Sequence, residues 1–192
     1  MMISKKTDKR YVMTDKKIAE TFLALLDTVG YPKISVSAIV KKARINRSTF
    51  YEHFLDKEDL MAQVQTRLIT KIVEGLPEVT VLKLDDHELI DSRINLLIQR
   101  IYDHKEAIKL FLSDKSDGLF TARFSVFSEQ FLIDGNIVQA IDLPDVYVFS
   151  IFQGMILNLI KIWIERDFIE TPEEFAKIIS RISPKTMRLL MD

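Results

Sequence analysis

Apolar side chains recur at i, i+3 or i+4 and i+7 along almost the whole chain, and no stretch alternates for long enough to line one face of a strand. That periodicity predicts an all-α protein. The first stripe is Ile18, Phe22, Leu25, Leu26 and Val29, with Gly30 placed to stop its helix. A short second helix carries Val36, Ile39, Val40 and Ala43 behind Ser35 as N-cap, and a third carries Phe50 and Phe54 behind Asn46. In both, the residue before the cap and the fourth helical residue are apolar, Ile34 with Ile39 and Ile45 with Phe50, at the spacing of a hydrophobic staple. Leu55, Asp56 and Leu60 repeat the arrangement and predict a fourth helix to about Glu74, where Gly75 and Pro77 break the pattern.

Downstream, Asp85-x-x-Glu88 reads as a capping box opening a helix to about Tyr102. Shorter helices are expected near Ala107 to Leu112 and from about Leu119 to Ile133, the latter ended by Gly135-Asn136. An apolar block from about Asp145 to Arg166 follows. Thr171-Pro172-Glu173-Glu174 then joins an N-cap, an N1 proline and an N3 glutamate at the start of a last helix. The apolar block raises the question of a membrane span, but Ser150, Gln153, Gly154, Asn158 and Lys161 interrupt it at helical spacing, and a bilayer would penalise those groups. No membrane partner is expected. The pattern fits a helix covered on most of its girth, partly by its own core and partly by a second copy of the chain.

The third helix opens with four hydrogen-bonding residues, Asn46-Arg47-Ser48-Thr49, which packing alone does not require. Two short helices joined by a tight turn, with a supporting helix before and a longer one after, make a helix-turn-helix over residues 35–54. Its recognition helix would turn Arg47 and Ser48 toward base edges and Thr49, Tyr51 and His53 toward phosphate oxygens, with Ile45, Phe50 and Phe54 inward. Arg44 in the turn and Asn46 at the helix start complete the set. Charge agrees with this polarity. The net charge is only −1, yet through Leu55 there are 11 Lys/Arg against 5 Asp/Glu, and after it 16 against 23. A basic N-terminal third on an acidic body is the footprint of a polyanion site at one end.

The run SVSAIVKKARINRSTFYEHFLDKEDL resembles the DNA-binding domain of the tetracycline-repressor (TetR) family of bacterial regulators. The likeness covers roughly Thr14 to Ile72 and is most specific in S-T-F-Y-x-H-F-x-D-K-E-D-L, Ser48 to Leu60. It implies that Ser35 and Lys57 also meet phosphates, at the starts of their helices. Arg44 departs from the pattern, standing where members commonly have glycine; a left-handed arginine would cost about 1 kcal/mol, recoverable through a phosphate contact. Gly154-Met155 through Trp163-Ile164-Glu165, followed by Thr171 to Phe175, is similar to the last two helices of a TetR subgroup with dihydroxyacetone-kinase-type regulators among its members. In the family those helices pair with a partner's. The resemblance therefore implies a homodimer, with a seam expected at Gly154, Asn158, Phe175 and Ile179.

Phe120, Phe124, Phe127 and Phe131 fall at i, i+4, i+7 and i+11. Such a stripe is either core or, with Phe111, Tyr147, Phe152 and Trp163, the lining of an effector cavity. The acids of Asp85-Asp86-His87-Glu88 are accounted for by capping and the helix dipole, so no metal is expected. The chain has no cysteine, which excludes disulfides, thiolate metal sites and thiol nucleophiles. No Gly-rich phosphate loop or nucleophile elbow is present, so neither a cofactor nor an enzyme activity is expected. MMISKKTDKR lacks an apolar leader, which predicts a cytoplasmic protein.

These readings converge on a helix-turn-helix domain over 1–74 and an effector-binding, dimerising domain over 76–192. The expected partners are a double-stranded DNA operator, a second copy of the chain and an unknown small-molecule effector, with repression as the family default. The rival is a helical adaptor without sequence-specific DNA binding, which would have no use for an outward cluster of Arg47, Ser48, Thr49 and Tyr51.

Overall fold

A computed structural model describes residues 9–191, apart from the side chains at 183, 184 and 187. The first eight residues, where the charged N-terminal stretch begins, lie outside the described residues. Among the described residues the regular structure is helical throughout: α1 (Lys9–Val29), α2 (Val36–Ala43), α3 (Arg47–His53), α4 (Lys57–Val73), α5 (His87–Asp103), α6 (Lys105–Leu112), α7 (Phe120–Asp134), α8 (Asp145–Glu165) and α9 (Pro172–Met191). They form two compact units. One holds the residues through Arg67 together with Leu110–Phe120, and the other holds Leu68–Lys109 together with the residues from Thr121.

In the first unit, the apolar stripe of α1 buries Ile18, Phe22 and Leu26, and α2 packs on α1 and α3 on α2. Ile34, Ile39, Ala43, Phe50 and Phe54 join this core, each at most 3% exposed, together with the fully buried Leu60 and Met61 of α4. Full burial of a large apolar side chain contributes about 1.5–3 kcal/mol, so these few contacts dominate the packing of the unit. The Ser35 hydroxyl accepts the Ala38 N–H at 3.2 Å and starts α2. Its end is a Schellman turn in which the Ile45 N–H donates to the Val40 carbonyl (3.1 Å) and the Arg44 N–H to that of Lys41 (3.3 Å). Arg44 accordingly sits at φ 51°, ψ 54°, in the left-handed region that favours glycine.

Two local expectations fail here. Asn46 occupies the N-cap position of α3 with extended backbone, but its side chain makes no capping bond. Leu55 is 79% exposed and makes no staple with the buried Leu60. A reciprocal polar box fixes the start of α4 instead: the Asp56 carboxylate accepts the Asp59 N–H (2.7 Å), and the Asp59 carboxylate accepts the Leu55 N–H (2.9 Å).

Residues Leu110–Phe120 join this unit from far along the chain, so it differs from the 1–74 division read from the sequence. The Tyr31 N–H donates to the Lys115 carbonyl (2.8 Å), and the Lys115 ammonium pairs with Asp27 (2.9 Å). Buried Gln65 donates to Asp117 (3.1 Å), and Phe111 and Phe120 stack with centroids 5.4 Å apart. A buried amide must find partners, and these lie some fifty residues away.

In the second unit α5 lies along α9 and buries Ile90, Ile94, Ile98 and Ile101. The cap of α5 is Asp86, which accepts the Leu89 N–H at 3.0 Å, one residue later than the expected Asp85. Asp85 is engaged elsewhere, by the Arg188 guanidinium at 3.0 Å. The turn after α7 uses Gly135 and Asn136 for different reasons: a Cβ on Gly135 would lie 2.7 Å from the Val79 carbonyl oxygen, and Asn136 takes the left-handed φ of 54°. The α9 start is a complete capping box, with Thr171 Oγ1 accepting the Glu174 N–H (3.2 Å) and Glu174 Oε2 accepting the Thr171 N–H (2.9 Å). In α8, Val148, Phe152, Ile160, Trp163 and Ile164 are buried while Val146, Tyr147 and Ile162 are exposed. This helix has the length and apolarity of a membrane span, and only 28% of its most apolar stretch is buried within the chain, which leaves an apolar face uncovered.

Candidate functional site

α3 presents its polar side outward because Phe50 and Phe54 anchor the opposite side in the core. Asn46, Arg47 and Ser48 are exposed, Thr49 is half-buried and Tyr51 is 49% exposed. Arg47 and Tyr51 are one turn apart; the guanidinium donates to the Tyr51 hydroxyl at 3.5 Å and lies 5.9 Å from its ring centroid. This contact holds Arg47 along the open face of the helix. Tyr11 of α1 ties down the end of α3, its hydroxyl donating to the Glu52 carbonyl at 3.2 Å.

His53 does not join that surface. Its side chain is only 2% exposed, stacked on the Tyr11 ring at 3.9 Å and 3.8 Å from the Asp15 carboxylate, itself held by Arg67. Burial pushes the imidazole pKa down, against the opposing pull of Asp15, so the neutral ring is the form that fits. The outward assignment fails because α1, which the helical period of α3 does not report, covers that position. Lys57 is partly engaged: its ammonium donates to the Tyr31 carbonyl (3.4 Å) and lies 4.5 Å from the Tyr31 ring centroid, with its side chain 22% exposed. Ser35 uses its oxygen as the α2 cap and keeps a hydroxyl proton to donate. Lys41 and Lys42, exposed beside Arg44 in the last turn of α2, were not singled out from the sequence. The local excess of cations was their signal.

The second unit contains a cavity of about 160 Å³. Phe124, Phe127 and Phe131 of α7 and Phe152 of α8 line it. The other candidates do not. Phe111 and Phe120 stack on each other in the first unit, Tyr147 is 61% exposed, and Trp163 is buried against Phe175 with parallel rings 4.3 Å apart. The assigned seam is corrected in the same way: Phe175 and Ile179 are 4% and 3% exposed within the single chain, and Ile179 lines the cavity. Gly154 and Asn158 are exposed, and a Cβ on Gly154 would meet nothing within 4 Å.

Three polar side chains, Arg93, Ser128 and Gln153, complete the lining and were missed from the sequence. The Arg93 guanidinium donates to the Pro77 carbonyl at 2.6 Å and lies 4.0 Å from the Phe131 centroid; burial pushes its pKa down. The Gln153 amide donates to Glu129 at 2.6 Å. Their signal was position, since Arg93 falls three residues after Ile90 and four before Leu97, on the apolar stripe of its helix. Among the described residues no group of three or more His, Asp or Glu is placed to hold a metal.

Comparison with known proteins bears on both units. Residues 18–64 match the bacterial regulatory proteins of the TetR family, and residues 89–185 match a transcriptional regulator C-terminal region. An uncharacterized HTH-type transcriptional regulator of Bacillus subtilis, YxbF, is 34% identical over 73 residues, 38% of this chain and 19% of the relative. The dhaKLM operon transcriptional activator DhaS of Lactococcus lactis is 39% identical over 56 residues, 29% of this chain and 30% of the relative. The chain thus spans less than a third of either relative. Whole-chain likeness is at the level of fold: a TetR regulator from Streptococcus agalactiae superposes with a TM-score of 0.69 at 22% identity, covering 91% of this chain and 96% of the other. The structure of DhaS gives 0.61 at 19%, covering 94% and 99%. With family matches over both its helix-turn-helix and its C-terminal region, on a fold shared with solved members, the chain belongs to the TetR family of transcriptional regulators, which are DNA-binding proteins and not enzymes.

Proposed function

We propose that the chain is a cytoplasmic, homodimeric repressor that binds a specific duplex operator and changes its affinity when a small-molecule effector enters the cavity. The observation that carries the reading is the outward first turn of α3, with Arg47 and Ser48 exposed above a buried Phe50 and Phe54. Arg47 reads a base edge, where a bidentate contact to guanine discriminates by about 1–3 kcal/mol. Ser35, Arg44, Thr49, Tyr51 and Lys57 bind phosphates and set the register. Exposed Val146, Tyr147 and Ile162 on α8, with the open space at Gly154, support a self-association face. A two-fold dimer places two recognition helices about one DNA turn, roughly 34–36 Å, apart. An effector acts only through its difference in affinity for two arrangements of the protein.

Duplexes selected from a random pool, titrated by fluorescence anisotropy over a range of salt, test the reading. A near-palindromic operator and a steep fall of affinity with salt are expected. Equal, salt-insensitive binding to all duplexes would leave the helical adaptor as the better account. A reporter under the selected operator then tells repression from activation, the role in which the Lactococcus relative is named.

A further inference from the structure

Arg93 is out of place in the wall of a core. It lies on the buried stripe of α5 between Ile90, Ile94 and Leu97, and among the described residues it forms no ion pair. Arg93 is half-buried, and a cation drawn even partly out of water is costly unless something answers its charge. The Pro77 carbonyl takes one N–H at 2.6 Å, and the face of Phe131, 4.0 Å away, supplies weak cation–π attraction. Neither carries a formal negative charge. A guanidinium presents five donors in a planar fork, so most of its hydrogen-bonding capacity remains.

The rest of the lining selects among anions. Beyond Arg93 the polar side chains among the described residues of the lining are Ser128, whose hydroxyl already donates to the Ser125 carbonyl at 2.8 Å, and Gln153, whose amide nitrogen is committed to Glu129. One positive charge in an apolar wall matches one negative charge on an apolar body. A phosphate monoester would keep about one charge unanswered there, and an amine would be repelled. Size narrows the choice further: at about 160 Å³ the cavity is close to the engineered protein cavity of about 150 Å³ that admits benzene.

We propose that the cavity binds a small amphipathic monocarboxylate, its carboxylate forked on the Arg93 guanidinium and an apolar body of about six to eight carbons against Phe124, Phe127 and Phe152. This inference rests on the reading of the cavity as the effector site. The carboxylate supplies the charge that Arg93 lacks.

Calorimetric titration of the full chain with octanoate, octanol and octylamine tests it, and benzoate against benzyl alcohol distinguishes an aromatic from an aliphatic body. Octanoate or benzoate should bind at least about tenfold more tightly than its alcohol, with octylamine weakest. Arg93→Met should erase the preference for acid over alcohol, and Arg93→Lys should retain part of it. Alcohols binding as tightly as acids, or an Arg93→Met protein that keeps the preference, would overturn the carboxylate anchor and leave the cavity as an apolar effector site. Binding of none of the five compounds would overturn the effector reading and this inference together. If Arg93→Met does not fold, the order of the ligands on the unmodified protein decides.

Discussion

Arg44 separates stability from DNA affinity in a single side chain. It closes α2 at φ 51°, ψ 54°, where an L-residue pays about 1–2 kcal/mol for the approach of its Cβ to the carbonyl. Its side chain is exposed and, among the described residues, makes no hydrogen bond or ion pair within the chain, so truncation removes no internal contact. Arg44→Gly relieves the left-handed strain but gives the unfolded chain more freedom, which takes back about 0.4–1 kcal/mol. The net expectation is a gain of about 0.5–1 kcal/mol, or roughly 1–4 °C in a chain of this length. Arg44→Ala keeps the strain and should gain nothing. On DNA both variants lose one phosphate-neutralising cation, so the slope of log affinity against log salt should fall by about 1 on operator and random duplex alike. Thermal unfolding and salt-titrated anisotropy measure the two effects on the same samples. A glycine variant less stable than the parent would refute the strain argument, and an unchanged salt slope would show that Arg44 is only a tolerated helix stop.

Arg47→Ala should lose about 1–3 kcal/mol on the operator and much less on random DNA; an equal loss on both would place Arg47 among the phosphate contacts. Gly154→Arg should leave the chain folded, because the space around Gly154 within one chain is open, while light scattering reports monomer and operator binding disappears; a variant still dimeric would exclude Gly154 from the seam. For His53, burial holds the folded-state pKa below its ordinary 6.5, so the unfolded state takes up the proton first. The contribution is complete above about pH 6.5 and is lost as pH falls toward the lowered value. Urea midpoints at pH 7.5 and 5.5 should therefore differ more for the parent than for His53→Gln, and an equal difference in both proteins would show that His53 is not the titrating group.

The helices themselves were legible because the forces that start and stop them act within about four residues. Ser35, Asp56 and Thr171 cap where the sequence places them, Gly30 ends α1, and the polar run from Asn46 to Thr49 stays outside because Phe50 and Phe54 go in. Arg44 was legible for the same reason, since a Schellman turn is a local ring of hydrogen bonds. What each helix face meets is a different question. His53 reads as outward on α3 alone, and Tyr11, forty-two residues earlier, covers it. Asp85 gives up its cap position while pairing with Arg188, about a hundred residues later, and Gln65 draws its partners from residues 116 and 117. The phenylalanine stripe shows one period throughout, yet Phe120 stacks on Phe111 while Phe124, Phe127 and Phe131 face a cavity. Phe175 and Ile179, apolar enough for a seam, are taken up by the core of their own chain. Periodicity records that a face is apolar, but contacts between residues distant in sequence decide whether it meets a ring, an empty space or another molecule.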